Sequence, residues 1–389
     1  MSGAREPAMP SATEPETASD TTLVLPATVD GPAPRFRPTA VGVLARGAGW
    51  AVLAWLVFAV PGNIASPFEL GAADVSALSL AAIYGIIGLS LNVLIGYAGQ
   101  ISFGHQAFVG LGAFTSAYVV TDLHLEFWLA IPIAAALSGL QAAVLGAISL
   151  RLTGLYFALV SLTYGLFAEE TLFGIAGFTG GEGGKDAPRP MGFDDDHRYY
   201  YLCLGFLAVV LWLDWRLTRS KGGRALRALR ENPRVASSFG IDVKAYILLA
   251  FAISGVFAGV AGSLFAHNAG LVVPSKFGFE LALVFVLMTV VGGLRSRSGV
   301  VIGSAFFALM GTGKLVEFLN LEGFVEGTIG LPKDFVGLVV GPVLLLLTIT
   351  LFPGGIGQQI APVREWLLGR RFDVHAGKVK EVEVTAVRA

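Results

Sequence analysis

Long apolar stretches separated by short polar loops recur along this chain from residue 42 onward. Each stretch is close to the ~20 residues that an α-helix needs to cross the hydrocarbon core of a bilayer. The pattern predicts an all-α integral membrane protein with about ten transmembrane helices, near residues 42–61, 75–96, 106–121, 128–150, 154–174, 199–217, 244–267, 279–294, 299–318 and 334–352.

Composition supports this prediction and excludes several classes of protein. Hydrophobic residues make up 54% of the 389 residues and charged residues only 14%, whereas soluble domains carry about 25% charged residues. The formal net charge of -1 provides no field that would attract nucleic acid, so no nucleic-acid partner is expected. With Cys203 as its single cysteine, the chain cannot form an intrachain disulfide framework.

The charged and proline-rich segments predict three regions and an orientation. Residues 1–40, with seven prolines, are expected to form a disordered cytosolic tail, residues 41–358 the transmembrane domain, and residues 359–389 a cytosolic C-terminal tail. Arg151, the basic run from Arg216 to Lys244, and Arg295 with Arg297 all fall in short loops on the same side. The positive-inside rule therefore predicts that both termini are cytosolic.

The sequence shows no motif for ATP binding, for ion coupling or for an enzyme active site. A phosphate-binding loop needs G-x-x-x-x-G-K-[ST], but Ala308 and Thr179 stand where the first glycine would precede Gly313-Lys314 and Gly184-Lys185. Neither a metal-ligand spacing nor a clear proton relay is seen, although sodium coupling through backbone carbonyls would leave no such trace. The prediction is a passive conduit that is not an enzyme and binds neither cofactor nor metal.

A polar, glycine-rich segment interrupts two apolar helices at residues 96–105. Gln100, Ser102 and His105 lie in it, and Asn92 and Tyr97 lie just before or at its start. Since lipid cannot satisfy free backbone groups, such a break must face water or protein, which suggests the lining or gate of a pathway. The alternatives are a short polar cytosolic turn and, for Asn92, an interhelical hydrogen bond.

A second informative segment is the predicted cytosolic loop at 218–242. Its arginines at 224, 227 and 230 alternate with Leu226 and Leu229, so a short helix there would carry one basic and one apolar strip. Pro233 should end that helix, a second should cover 235–239, and Gly240 suits a left-handed helix end. The loop could dock on a partner protein, or it could serve only to orient the chain and contact anionic lipid.

The string LNVLIGYAGQISFGH, FTGGEGG at 178–184, RALRENPRVASSFGID at 227–242 and LFPGGIG at 351–357 together resemble the permeases of branched-chain amino acid ABC importers of the LivM type. The resemblance extends through most of residues 75–355. Residues 182–185, Glu-Gly-Gly-Lys, depart from the usual continuation of the family's T-G-G loop, which here is Thr179, Gly180 and Gly181.

This resemblance implies the ABC importer permease fold, the bacterial inner membrane, and an assembly. The partners would be a homologous LivH-like permease, two cytosolic ATPase subunits that use the ATP, an extracytoplasmic substrate-binding protein, and membrane lipid. It also implies ATPase contacts for Arg227, Arg230, Glu231 and Gly240. Urea importer permeases share much of the pattern, so a urea or short-amide importer is one alternative, and an ion-coupled secondary transporter is another.

Overall fold

The computed structural model describes residues 40–59, 61–62, 70–150, 152, 154–314, 350 and 354–368. Within them the chain is almost entirely helical. In chain order the helices are α1 (Ala40–Ala54), α2 (Ala72–Leu91), α3 (His105–Thr121), α4 (Phe127–Ser149), α5 (Leu155–Phe167), α6 (Ala176–Thr179), α7 (Asp196–Arg219), α8 (Lys221–Glu231), α9 (Pro233–Ser238), α10 (Val243–Ala269), α11 (Phe279–Gly292), α12 (Arg297–Gly311) and α13 (Gly355–Leu367).

Several shorter elements extend or connect these helices. Single stretches of π-helix continue α1 (Trp55–Ala59), α2 (Asn92–Ala98) and α5 (Ala168–Leu172), and 3₁₀ turns cover Gly181–Gly183 and Pro274–Phe277. Strand β1 (Lys185–Asp186) pairs antiparallel with β2 (Leu271–Val272), with Lys185 opposite Val272. This small sheet lies at one end of the bundle, the sheet end, while α8 and α9 lie at the other, the α8 end.

The predicted count of about ten spans is not confirmed. Among the described residues, four helices are long and apolar enough to cross a membrane: Ala72–Ala98, Phe127–Ser149, Asp196–Arg219 and Val243–Ala269. A fifth would be the pair Tyr156–Leu172 and Ala176–Gly183, which is bent by 82°. Helices α11 and α12 are shorter apolar helices, because glycine-containing turns end them early. The predicted span at 334–352 falls outside the described residues except for Thr350.

Two predicted boundaries also need comment. The tail predicted for residues 1–40 lies outside the described residues, apart from Ala40, the first residue of α1. The boundary predicted at 358 falls inside α13, which packs against α11 and α12.

Helices α2 and α10 form the centre of the bundle. Helix α2 is enclosed by α7, α10 and α12, and α10 also packs against α3 and α4. Small residues permit the closest approach, since a Cβ atom on Gly259 would lie 2.6 Å from the carbonyl oxygen of Ala134 in α4. The small-residue spacing Gly255-xxx-Gly259 therefore serves packing within the chain.

Candidate functional site

The predicted break between two apolar helices is present. The π-helical end of α2 stops at Gly99, whose φ of +72° is left-handed, and α3 begins at His105. In between, the Phe103 amide donates to the Ser161 hydroxyl of α5 at 3.0 Å. A methyl group on Gly104 would overlap the Ser161 carbonyl oxygen. The backbone of the break thus faces protein at Phe103 and Gly104, whereas Gly99 and Ile101 are exposed. Segments of π-helix like the one before it are frequent at functional sites.

The five residues predicted near a pathway or gate are mostly enclosed. Asn92, Tyr97, Ser102 and His105 are buried, and Gln100 is half-buried. They do not line an open channel in this conformation, so a gating role requires the surrounding helices to move.

Two of these side chains make contacts that join distant parts of the chain. The Asn92 carboxamide oxygen accepts a hydrogen bond at 2.9 Å from the amide of Arg295, in the turn between α11 and α12. His105 Nε2 lies 2.9 Å from the Ser90 hydroxyl. That hydroxyl donates to the Ser254 carbonyl at 2.6 Å, and the Ser254 hydroxyl donates to the Ser90 carbonyl at 2.9 Å. These bonds tie α2, α3 and α10 together.

A buried charge network, not predicted from the sequence, lies at the α8 end. It consists of Tyr97, Asp214, Thr218 and Arg297. Asp214 is fully buried, accepts a hydrogen bond from the Tyr97 hydroxyl at 3.0 Å and forms an ion pair with the Arg297 guanidinium. Arg297 also donates to the Thr218 hydroxyl. We call this group the Asp214 network, and it links the end of α2 with α7 and α12.

Helix α8 confirms the predicted local structure of the arginine segment. Ser220 caps its first turn by accepting from the Gly223 amide at 3.1 Å, and Leu226 and Leu229 are buried. Asn232 separates it from α9, which covers Pro233–Ser238 and not the predicted 235–239, because a proline ring without an N–H suits the first position of a helix. Gly240 has a φ of +79°, the predicted left-handed conformation.

The apolar strip of α8 docks on its own chain, and two predicted coupling arginines reach inward. Arg227 donates to the Thr218 carbonyl at 2.6 Å, and Arg230 donates to the Gly96 carbonyl at the end of α2. Glu231 lies 3.9 Å from the Arg295 guanidinium. Of the predicted coupling residues, Arg230 thus contacts the predicted gate segment directly, whereas Arg227 and Glu231 contact Thr218 and Arg295.

Helix α9 and the residue that follows it carry two exposed apolar side chains at this end. Val235 is 49% exposed and Phe239 is 81% exposed. Scattered apolar residues on a surface are ordinary, but two on one short projecting segment suit a protein contact.

The predicted outer loop, Thr179 to Gly181, is at the sheet end and is built tightly. Buried Thr179 donates to the Phe173 carbonyl at 2.7 Å and accepts from the Gly181 amide at 3.1 Å. Gly180 and Gly181 both have left-handed φ angles, of +78° and +65°. The contacts of this loop hold its own shape, and its role towards substrate or a binding protein stays a prediction.

Two polar side-chain contacts lie near that loop at the sheet end. Lys185 forms an ion pair with Asp122 at 2.5 Å, and the Lys185 ammonium together with the Thr121 hydroxyl lowers the pKa of Asp122. His267 of α10 lies 2.9 Å from the Ser116 hydroxyl of α3. His267 was not among the residues predicted from the sequence, although a histidine near the end of an apolar span is a signal that could have indicated it.

The described residues contain no group of three or more His, Cys, Asp or Glu side chains that could hold a metal ion.

Comparison with known proteins adds the family to this geometry. A family described as branched-chain amino acid transport system / permease component matches residues 75–348. The chain belongs to this permease family. Family membership and the apolar helices make it a multi-pass membrane protein.

Individual relatives show how near the similarity is. The chain is 33% identical over 281 residues to the high-affinity branched-chain amino acid transport system permease protein LivM of Escherichia coli (strain K12), and the match covers 65% of each chain. Identity to the LivM protein of Salmonella typhimurium is 32% over 286 residues, or 66% of each chain. The chain thus matches slightly less than two thirds of the length of these relatives.

A more distant relative carries a different substrate name. The autoinducer 2 import system permease protein LsrD of Klebsiella pneumoniae is 27% identical over 73% of this chain and 82% of its own length. Permeases named for unlike substrates are therefore among the relatives of this chain.

Proposed function

We propose that this chain is the transmembrane permease subunit of an ABC importer for branched-chain amino acids. It would work in the bacterial inner membrane with a LivH-like second permease, two cytosolic ATPase subunits and an extracytoplasmic substrate-binding protein. Both termini and the α8 end would face the cytosol. Family membership supports the class of protein, and the observation that carries the mechanism is the contact of Arg230 with Gly96.

The movement of the ATPase subunits would reach this chain through α9. A partner that docks on exposed Phe239 and Val235 can move α8, because α8 and α9 are separated only by Asn232. Helix α8 then acts on two places at once, through Arg230 on the end of α2 and through Arg227 on the end of α7. Coupling of this kind requires the ATPase to interact differently with the two conformations of the permease.

The movement would open the break between α2 and α3. The Asp214 network holds the end of α2 against α7 and α12 in the present enclosed state. When α8 shifts, the Tyr97 and Arg230 contacts must rearrange together, and the segment at 99–104 follows because it is continuous with α2. Asn92, Gln100, Ser102 and His105 would then line or control the pathway.

The first experiment is charge reversal on α8 in the assembled complex, reconstituted in proteoliposomes. Arg227→Glu/Arg230→Glu should lower leucine uptake and substrate-stimulated ATP hydrolysis at least tenfold, since each charged hydrogen bond contributes about 1.5–3 kcal/mol. The affinity of the binding protein for leucine should not change. The matched control is Arg198→Glu, which alters an exposed arginine at the sheet end of α7. Normal stimulated hydrolysis in a properly assembled double variant would contradict the proposal.

Two further measurements separate the alternatives. Competition of leucine uptake by isoleucine, valine and urea tests the substrate class, and inhibition by urea alone would favour the urea importer. Purification of the tagged chain in mild detergent should recover two ATPases and a second permease. Recovery of the chain alone, with uptake that collapses on adding an ionophore at normal ATP, would favour an ion-coupled transporter.

A further inference from the structure

A groove on the outer surface of the bundle lies between the end of α7 and the middle of α10. Its volume is about 780 Å³, and its lining includes Leu213, Trp215, Arg216, Arg219, Val256 and Phe257. Neither the Asp214 network nor the break at 99–104 contributes to it. The groove is therefore separate from the proposed coupling and gating residues.

The polar end of the groove holds two arginine side chains that form no ion pair within the described residues. Arg216 and Arg219 are three residues apart on α7 and exposed, and neither forms an ion pair in the part of the chain that the structure describes. The Arg219 guanidinium lies 4.3 Å from the centre of the Trp215 ring, and that of Arg216 lies 5.7 Å from the Trp212 ring. These rings hold the guanidinium groups without neutralising them.

The remaining wall is apolar and extends towards the middle of the membrane. Val256 and Phe257 lie about 20 Å along α10 from its start at Val243, at 1.5 Å per residue. The hydrocarbon core is ~30 Å thick, so this wall passes from headgroup depth well into the acyl chains. Tryptophan beside the cations is typical of the membrane–water interface.

We propose that this groove binds one anionic phospholipid of the phosphatidylglycerol class. The phosphate would lie between Arg216 and Arg219, and an acyl chain would lie along Leu213, Val256 and Phe257. Charge complementarity selects this occupant, because two arginines without an ion pair among the described residues attract an anionic headgroup at this depth. The apolar wall beside them suits an acyl chain, which a soluble anion does not have. The inference depends on the chain spanning a membrane and not on which substrate it carries.

The test is lipid binding to the purified full chain, delipidated in detergent and titrated with phosphatidylglycerol or phosphatidylcholine under native mass spectrometry. Each arginine near an anionic headgroup contributes about a fivefold gain in affinity, so Arg216→Gln/Arg219→Gln should weaken phosphatidylglycerol binding about 25-fold. The control Arg198→Gln/Arg234→Gln removes two exposed arginines elsewhere and should leave binding unchanged.

A third variant tests the apolar wall. Leu213→Trp adds bulk at a 40%-exposed position within the groove and should weaken binding of both lipids, with the arginines retained. Excess inorganic phosphate should not displace the lipid.

Three results would overturn the proposal. These are equal affinity of the native chain for the two lipids, unchanged binding by the Arg216/Arg219 double variant, or cross-linking of a Leu213→Cys probe in native membranes to another polypeptide instead of lipid.

Discussion

The Asp214 network offers the sharpest test of the structure. Asp214 has no exposed side-chain surface, whereas the side chain of its partner Arg297 is 31% exposed. Removing one member of a buried ion pair leaves the other charge uncompensated, which costs about 3–5 kcal/mol. The two single substitutions should therefore be unequal in effect.

The size of each loss in unfolding free energy depends on which charge is left without its partner. Asp214→Asn leaves Arg297 unpaired but partly solvated, and Asn can still accept from Tyr97, so we expect the lower figure, about 3 kcal/mol of unfolding free energy. Arg297→Gln leaves the enclosed carboxylate unpaired, so we expect about 5 kcal/mol. The double variant should cost less than the sum, with a coupling energy of about 2–3 kcal/mol.

The assay is denaturant-induced unfolding of the purified chain in detergent for the native protein, the two single variants and the double variant. Glu231→Gln is the control, because its contact with Arg295 is 3.9 Å long and the two side chains are 71% and 44% exposed. Such a surface pair should contribute less than about 1 kcal/mol. If the free-energy changes of Asp214→Asn and Arg297→Gln simply add, the buried pair does not exist as described.

Three other outcomes are expected. Gly104→Ala should reduce leucine uptake strongly, because the added methyl group would overlap the Ser161 carbonyl oxygen. The control Gly183→Ala, which has open space around it, should not reduce uptake. Equal uptake by the two variants would show that the break is an ordinary turn without a role in transport. Ser90→Ala should lower the unfolding free energy by about 0.6–1.7 kcal/mol, since its hydrogen bonds lie between membrane helices, and a change near zero by the same denaturation assay would argue against them. Phe239→Ser should weaken pull-down of the ATPase subunits without altering the thermal midpoint of the isolated chain, and a lowered midpoint would show that Phe239 packs within the fold.

Local features were readable from the sequence. The alternation of arginine and leucine at 224–230 predicted α8, Pro233 predicted its end, and Gly240 predicted a left-handed residue after the next helix, because each depends on neighbours within a few residues. The second helix was predicted at 235–239 and begins two residues earlier, at Pro233. Likewise, the glycines and polar groups at 96–105 indicated a break, since they would destabilise an uninterrupted membrane helix.

The number of spans was harder to predict. Apolar stretches such as 279–294 and 299–318 have the composition of spans, but the helices within the described residues are shorter. Hydropathy indicates which environment a segment prefers, but it does not give the length of the helix. Turns and neighbouring helices determine that length.

The sequence by itself determined that this is a helical membrane protein, where its helices break, and which segment is basic and amphipathic. Only the tertiary structure decided which groups meet: Arg297 pairs with Asp214 from 83 positions away, and Arg230 reaches Gly96 from 134 positions away. A hydropathy pattern gives each helix an apolar surface, yet every neighbouring helix offers a similar surface. Packing of small residues and the need to pair each buried charge select the neighbours, and these are properties of the whole fold.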